Sequence, residues 1–447
     1  MNYLDKVASF AHSLSIFNIT EEVRERVKLL ILDTFTAIVV GNQHLEVSQL
    51  ADSVTSFKST GNNELGFILG TNMLTDYRTA AFINGIGMVS DELDEGNQIA
   101  KGHPACHYFS ALLMLALQNK KSGSDFLTAF IVNYEISVRM GASVQLKRSI
   151  HPHGNWGVFA NGFGVGKLLG WENKNDYIQA AMLSTSFSMP TLWQSVLEGH
   201  QVRNIMIGLN NLHTTLLPDL VESGFSASAF TPEKIFNGVL ADSFDTTYIT
   251  KNLGEEFYLL SSYFKFYPYC RFCHSPIDAT LSLIKGRKID EIKGVYIETY
   301  SSAAKLKEQK VENEFAGKFS IPYAVAMELS NRRYPLINGR EKERKIQELM
   351  KKIFVFEKKL YTELLPNKRI TTVKIEWENG ETNSTTVQRA KGDIDEYKLT
   401  EKVILKSKEY LFPILGEDKV ERFIETVLKL DRVEELTTVI KPLVKEI

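Results

Sequence analysis

The sequence is poor in cysteine, with only Cys106, Cys270 and Cys273 in 447 residues. Three cysteines make no disulfide framework and fit a chain kept in a reducing compartment. Long apolar runs are missing as well. The longest, such as LLILDTFTAIVVG at 29–41, are short or interrupted by Asp33, against the roughly 18 uninterrupted apolar residues a membrane span needs. Charge of one sign is also absent: 52 Lys and Arg stand against 54 Asp and Glu, a net charge of −2. No global field therefore draws nucleic acid or an anionic membrane, and neither is expected as a partner. The first residues show no basic segment followed by an apolar one, so the expected location is cytoplasmic rather than secreted. No G-x-G-x-x-G or G-x-x-x-x-G-K-[ST] follows a strand-like run, and no G-x-S-x-G elbow occurs, which argues against nucleotide cofactors and a serine nucleophile.

What is present is an ordinary globular composition, 44% hydrophobic and 24% charged, in a chain long enough for two or three folding units. The first 260 residues read as helix after helix. Thr20 is placed to cap EEVRERVKLLILDTFTAIVVG, with Glu21 and Glu22 at the positive end of its dipole and Gly41 as its stop. Further apolar runs at 77–93, 107–119, 124–141, 155–170 and 176–189 carry few charges and many small residues, so they should pack closely and be buried nearly all round. The texture changes near 265. KGVYIETYSS, KIFVFEK and RITTVKIEWENGETNSTTVQR alternate with period two, and Asn379-Gly380 is a strong hairpin signal. Helical patterns return from about 396, in LTEKVILKSKEYL, EDKVERFIETVLKL and RVEELTTVIKPLVKE (432–446). The expected architecture is mainly α with an inserted α+β lid: a helical domain from 1–264 plus 396–447, and an α+β domain at 265–395.

Chemistry-bearing residues gather in a few stretches. DELDEGNQIAKGHPACH (91–107) sets four acids before a glycine-rich turn and His103-Pro104. SIHPHGNWG (149–157) repeats the His-Pro pair and adds His153. GHQVRNIMIGLNN (199–211) opens a helix with Gln201 and Arg203, and AGKFSIPYAVA (316–326) carries Lys318, Ser320 and Tyr323. YPYCRFCHSP (267–276) contains Cys270-Arg-Phe-Cys273-His274, formally the attachment pattern of a c-type haem. A cytoplasmic setting and the missing βαβ context argue against both haem and a redox dithiol there. His103 and His107 have the spacing of two metal ligands on one helix face, but Pro104 takes the place of the glutamate in H-E-x-x-H and puts His103 before the helix. No metal is expected. The remaining set suits proton abstraction next to a carboxylate: cations hold an anionic substrate, a neutral histidine takes the proton and a second histidine or a tyrosine returns one.

These same pieces, ELDEG, KGHPACHYFSALLMLA, IHPHGNWGVFANGFGVGKLLGW, GHQVRNIMIGLNNLHTTLLPDLVESGF, KFYPYCRFCHSPIDA and GKFSIPYAVA, resemble the MmgE/PrpD family, in family order and over essentially the whole chain. That family includes 2-methylcitrate dehydratase, cis-aconitate decarboxylase and iminodisuccinate epimerase. The resemblance implies an all-helical domain from both chain ends, an α+β lid, an active site in the cleft, no cofactor and a homodimer. Carried over by motif, the family's acidic stretch, often Asp-Phe-Asp-Asp-Thr, matches Glu92-Leu93-Asp94-Glu95-Gly96. Its His-Pro matches His103-Pro104, its second histidine His151, its lid tyrosine Tyr323, and its usual lysine is Arg203 here. The expected catalytic residues are His103, His151, Asp94 and Tyr323. The expected substrate-binding residues are Glu92, Arg203, Lys265, Arg271, His274 and Gln201. The expected activity is that of a lyase on a small di- or tricarboxylate, a dehydratase or decarboxylase. An epimerase of an iminodisuccinate-like substrate and a catalytically silent carboxylate-binding protein are the alternatives.

Overall fold

A computed structural model describes residues 2–55, 65–333, 340–365 and 368–445. The chain is mostly helical with a few small sheets, and it divides into two compact units. One comprises residues 1–193, 202–264 and 397–447; the other comprises 194–201 and 265–396.

The first unit is built on long helices whose ends are set locally. Thr20 caps the Glu21–Gly41 helix by accepting from the Val23 amide, with Glu21 and Glu22 in the first turn. Ser122 and Asp125 form a reciprocal capping box on the Gly123–Ser143 helix. Residues 27–39 of the first of these helices are buried on every side, which is why their apolar residues show no amphipathic stripe. Close approach substitutes for bulk at Gly41, where a Cβ would lie 1.7 Å from the Gly87 carbonyl oxygen on the Tyr77–Ser90 helix. That helix packs in turn on Val202–Glu222, and the C-terminal Leu399–Leu415 helix packs on Glu21–Gly41. Of the helix expected at 432–446, the described residues form only short turns at Thr437–Ile440 and Lys441–Leu443. Pro442, which has no N–H to donate, interrupts it.

The second unit carries a four-stranded sheet in the order Thr382–Val387, Thr371–Trp377, Ile292–Thr299, Ile353–Glu357. The first two pairings are antiparallel and the last is parallel. Asn379-Gly380 does form the hairpin, with Gly380 at φ +84° and the Trp377 amide bonded to the Glu381 carbonyl at 2.9 Å. The His274–Leu283 helix lies against strands Thr371–Trp377 and Thr382–Val387, supplying the apolar cover the sheet's alternation demands.

Candidate active site

Three segments of the first unit bring the polar residues together: the loop 91–97 after the Tyr77–Ser90 helix, the loop 149–155, and the start of the Val202–Glu222 helix. Glu92 sits in the left-handed backbone region at φ +55°, sparsely populated for a residue with a Cβ. It turns its carboxylate into an ion pair with Arg203; the two side chains are 2% and 1% exposed. Two residues on, Asp94 Oδ2 lies 3.0 Å from His103 Nδ1, and the same nitrogen bonds the Glu95 carbonyl oxygen. Glu95 itself is fully buried and accepts from the Tyr134 hydroxyl and the Ala105 amide. Burial pushes its carboxyl up to about 8, with Asp94 and Asp33 adding to the effect against those two donors.

Gly96 shows why this loop has no bulkier residue next. It pairs antiparallel with Tyr263, and a Cβ there would lie 2.3 Å from the tyrosine's ζ carbon and hydroxyl oxygen. The phenol of Tyr263, whose ring centroid is 6.4 Å from that of His103, occupies the space that the threonine of the resembling motif would need.

His151 and His153 bring two more imidazoles into the same place. Ring centroids are 4.6 Å apart for His151–His153, 4.9 Å for His103–His153 and 6.4 Å for His107–His153. Their hydrogen bonds decide the neutral tautomers. The Glu95 carbonyl only accepts, so His103 carries its proton on Nδ1 and has a lone pair on Nε2. His151 Nδ1 accepts from the His153 amide at 3.1 Å, so its proton is on Nε2. His153 Nδ1 lies 3.2 Å from an Arg203 amino nitrogen; a guanidinium only donates, so His153 also carries its proton on Nε2. His107 Nε2 accepts from the Gly154 amide at 3.2 Å, leaving the proton on Nδ1. Burial lowers His107 to about 4, and burial together with Arg203 and the other histidines lowers His153 well below the ordinary imidazole value. Both are neutral at physiological pH.

Among the described residues, Asp94, His103 and His153 each offer a ligand atom within 4.8 Å of the others. The donor pattern does not fit a cation. The Nδ1 atoms of both histidines are already engaged, His153 Nε2 carries a proton, and the Arg203 guanidinium stands beside it. Hydrogen bonding, not coordination, organises the cluster.

Arg203 is held on all sides. Besides Glu92 and His153 it donates to the Val89 carbonyl at 2.7 Å and to Asn204 Oδ1 at 3.0 Å. Its fork joins the helix carrying Val89, the acidic loop and the second histidine loop.

The remaining expected residues belong to the second unit. Lys265 is fully buried, Gln201 is exposed, and Tyr323 is raised to about 12 by burial and then by Glu314. Arg271 pairs with Asp393 and donates to the Lys391 carbonyl at 2.9 Å and to His274 Nδ1 at 3.3 Å. His274 therefore carries its proton on Nε2, which faces the Tyr269 carbonyl at 3.2 Å. With both ring nitrogens engaged and Cys270 and Cys273 buried, the C-x-x-C-H stretch is part of this unit's core, not a cofactor tether. Lys318 is also buried, and its carbonyl accepts from the Cys270 amide at 2.9 Å.

Glu95, His107 and His153 were not among the expected site residues. The signal for His153 was its position two residues after His151, which on an irregular loop does not reveal a shared direction.

Residues 5–234 match the family model described as the MmgE/PrpD N-terminal domain, and residues 267–432 match the MmgE/PrpD C-terminal domain. The chain is 23% identical over 472 residues to a protein named cis-aconitate decarboxylase from Aspergillus terreus (strain NIH 2624 / FGSC A1156), covering 98% of this chain and 94% of that protein. A cis-aconitate decarboxylase of Homo sapiens is 28% identical over 179 residues, covering 37% of this chain and 36% of that protein.

Proposed function

The chain belongs to the MmgE/PrpD family, and we propose that it is a cofactor-independent lyase acting on a small di- or tricarboxylate. The observation that carries this reading is the opposite tautomers of His103 and His151. His103, oriented through Nδ1 by Asp94 and the Glu95 carbonyl, offers the Nε2 lone pair as a general base. His151, accepting at Nδ1, offers the Nε2 proton as a general acid. One group takes a proton while the other gives one, and neither needs to rotate.

In a dehydration, His103 removes the proton α to a carboxylate, His151 protonates the departing hydroxyl, which leaves as water, and the proton gained by His103 returns to His151 through solvent, so that both imidazoles end neutral. In a decarboxylation the bond to CO₂ breaks, its electron pair stays on the substrate, and a histidine proton neutralises the carbanion. The relatives named cis-aconitate decarboxylase favour the second course. Glu92 and Arg203 fix the loops; within the second unit, Lys265 is proposed as a substrate-binding group and Tyr323 as an acid group. The same reading makes the protein a cytoplasmic homodimer.

The test is to incubate the purified protein in D₂O with cis-aconitate, 2-methylcitrate and N-substituted aspartates, following both products and deuterium uptake by NMR. Release of CO₂ or water with deuterium at one carbon is the expected result. Deuterium uptake with inversion and no net product would make it an epimerase. Saturable binding with no exchange on any of them would make it a carboxylate-binding protein.

A further inference from the structure

The acidic loop is held from beneath by a residue more than 300 positions away. Lys406, on the C-terminal Leu399–Leu415 helix, is 2% exposed, and its Nζ lies 2.6 Å from Asp33 Oδ1 and 2.8 Å from the Leu93 carbonyl oxygen. Asp33 is completely buried in the Glu21–Gly41 helix. One turn further along that helix the Thr36 hydroxyl donates to Ser407 at 2.9 Å, so two adjacent residues of the C-terminal helix lock into it. Leu93 is the residue between Glu92 and Asp94. Its neighbours face Arg203 on one side and His103 on the other.

We propose that Lys406 is a positioning residue for the proton chemistry, acting through the Leu93 carbonyl to hold Glu92 and Asp94 in register with Arg203 and His103. A buried ion pair is weak evidence for stability, because desolvating two charges offsets most of their attraction. A charge whose third contact is a loop carbonyl has a different use. Glu92 is in a left-handed conformation, which is strained for a residue with a Cβ and persists only when the surroundings over-determine it. The ion pair to Arg203 fixes its side chain, and the Lys406 bond to the next residue fixes the peptide that follows. Without that bond both Asp94 and the Glu95 carbonyl that follows it can drift from His103 Nδ1, and the Nε2 lone pair loses its direction. Facing His103 are Asp94 and Glu95 from the acidic loop, His153 from the second loop and Tyr263 from the paired strand, and Lys406 reaches the acidic loop through the Leu93 carbonyl.

The inference rests on the lyase reading, and its test separates the two. Lys406→Met leaves Asp33 buried without its cation and should be strongly destabilised. The double variant Asp33→Asn, Lys406→Met removes both charges and should recover most of the thermal midpoint. If Lys406 positions the loop, the double variant stays at least tenfold below wild type in kcat, with KM changed less than threefold. Recovery of both the midpoint and kcat would overturn the proposal and leave the pair as structure alone. A second readout needs no turnover. In ¹⁵N-histidine-labelled protein the Nδ1 proton of His103, assigned by its loss in His103→Gln, should be protected in wild type and exchange rapidly in the double variant. A protected proton in the double variant overturns the inference. If no carboxylate is turned over by wild type, the lyase reading fails while the NMR result still decides this one.

Discussion

Arg203 donates to Nδ1 of His153 across 3.2 Å, and this contact sets the tautomer of a fully buried imidazole that burial first, and then the Arg203 charge, keeps neutral. Arg203 also engages Glu92 and the Val89 carbonyl. Its replacement should reveal that division of labour. Arg203→Met takes the buried cationic partner from Glu92 and should cost about 3–5 kcal/mol in urea unfolding. Arg203→Lys keeps the charge but not the planar fork. It should lose less stability, yet fall at least tenfold in turnover, because a single ammonium nitrogen lacks the planar, branched reach by which the guanidinium meets Glu92, His153, Asn204 and the Val89 carbonyl at once. Equal stability of wild type and the Met variant would contradict the burial of this pair.

The two opposed tautomers predict unequal failures on the catalytic residues. His103→Ala and His151→Ala should each lower kcat by about 10²–10⁴. Asp94→Asn should fall less than His103→Ala, since the Glu95 carbonyl still holds the Nδ1 proton. Steady-state rates with whichever carboxylate the D₂O incubation shows to be turned over decide this, and an unchanged kcat in His151→Ala removes it from the acid role.

Glu95 predicts how stability depends on pH. Its folded value near 8 lies above the ordinary carboxyl value of 4.5, so between those two pH values the folded state keeps a proton that the unfolded chain has lost. Its contribution is full below 4.5 and is lost as pH rises through 8. His107 works the other way: lowered from 6.5 to about 4, it costs stability as pH falls through that lower window. The two oppose each other between about 4.5 and 6.5, so the net decline belongs to pH 6.5–8 and amounts to about 2 kcal/mol. Thermal or urea unfolding of wild type against Glu95→Gln should show the decline in wild type only. Parallel profiles would mean that Glu95 is ionised throughout.

Gly96 offers a purely steric test. Gly96→Ala places a Cβ 2.3 Å from the Tyr263 phenol and should destabilise by about 1–3 kcal/mol, the usual cost of overpacking. Pairing it with Tyr263→Phe keeps the ring carbon in the way and should bring little relief, whereas Tyr263→Ala should relieve the clash. Differential scanning calorimetry of the three variants checks it.

How much was legible in the chain can be argued from particular residues. Thr20 as cap and Gly41 as stop predicted a helix beginning and ending where it does, because caps and stops act through bonds a few residues long. Asn379-Gly380 marked its hairpin for the same reason. The helix expected at 432–446 broke up because Pro442 outweighs apolar spacing. His103 and His151 stood out through their His-Pro pairs. His153 and Glu95 did not, since nothing in their local spacing distinguishes a residue aimed at a cluster from one packed behind it.

Composition, capping residues and hydrophobic period were enough to determine a mostly helical chain with a sheet-bearing insertion, and the order of its motifs determined its family. These depend on near neighbours and on burial in bulk, which a linear pattern records. Which imidazole nitrogen carries a proton, which protein groups hold Arg203, and why Lys406 lies beneath Leu93 were decided only in the tertiary structure. For His103 and His151 the deciding contacts are local but need a loop geometry that no spacing records; for Arg203 with His153 and Lys406 with Leu93 the fold brings donor and acceptor within about 3 Å from 50 and 313 residues apart, a distance over which a hydrogen bond is decisive and the sequence carries no signal.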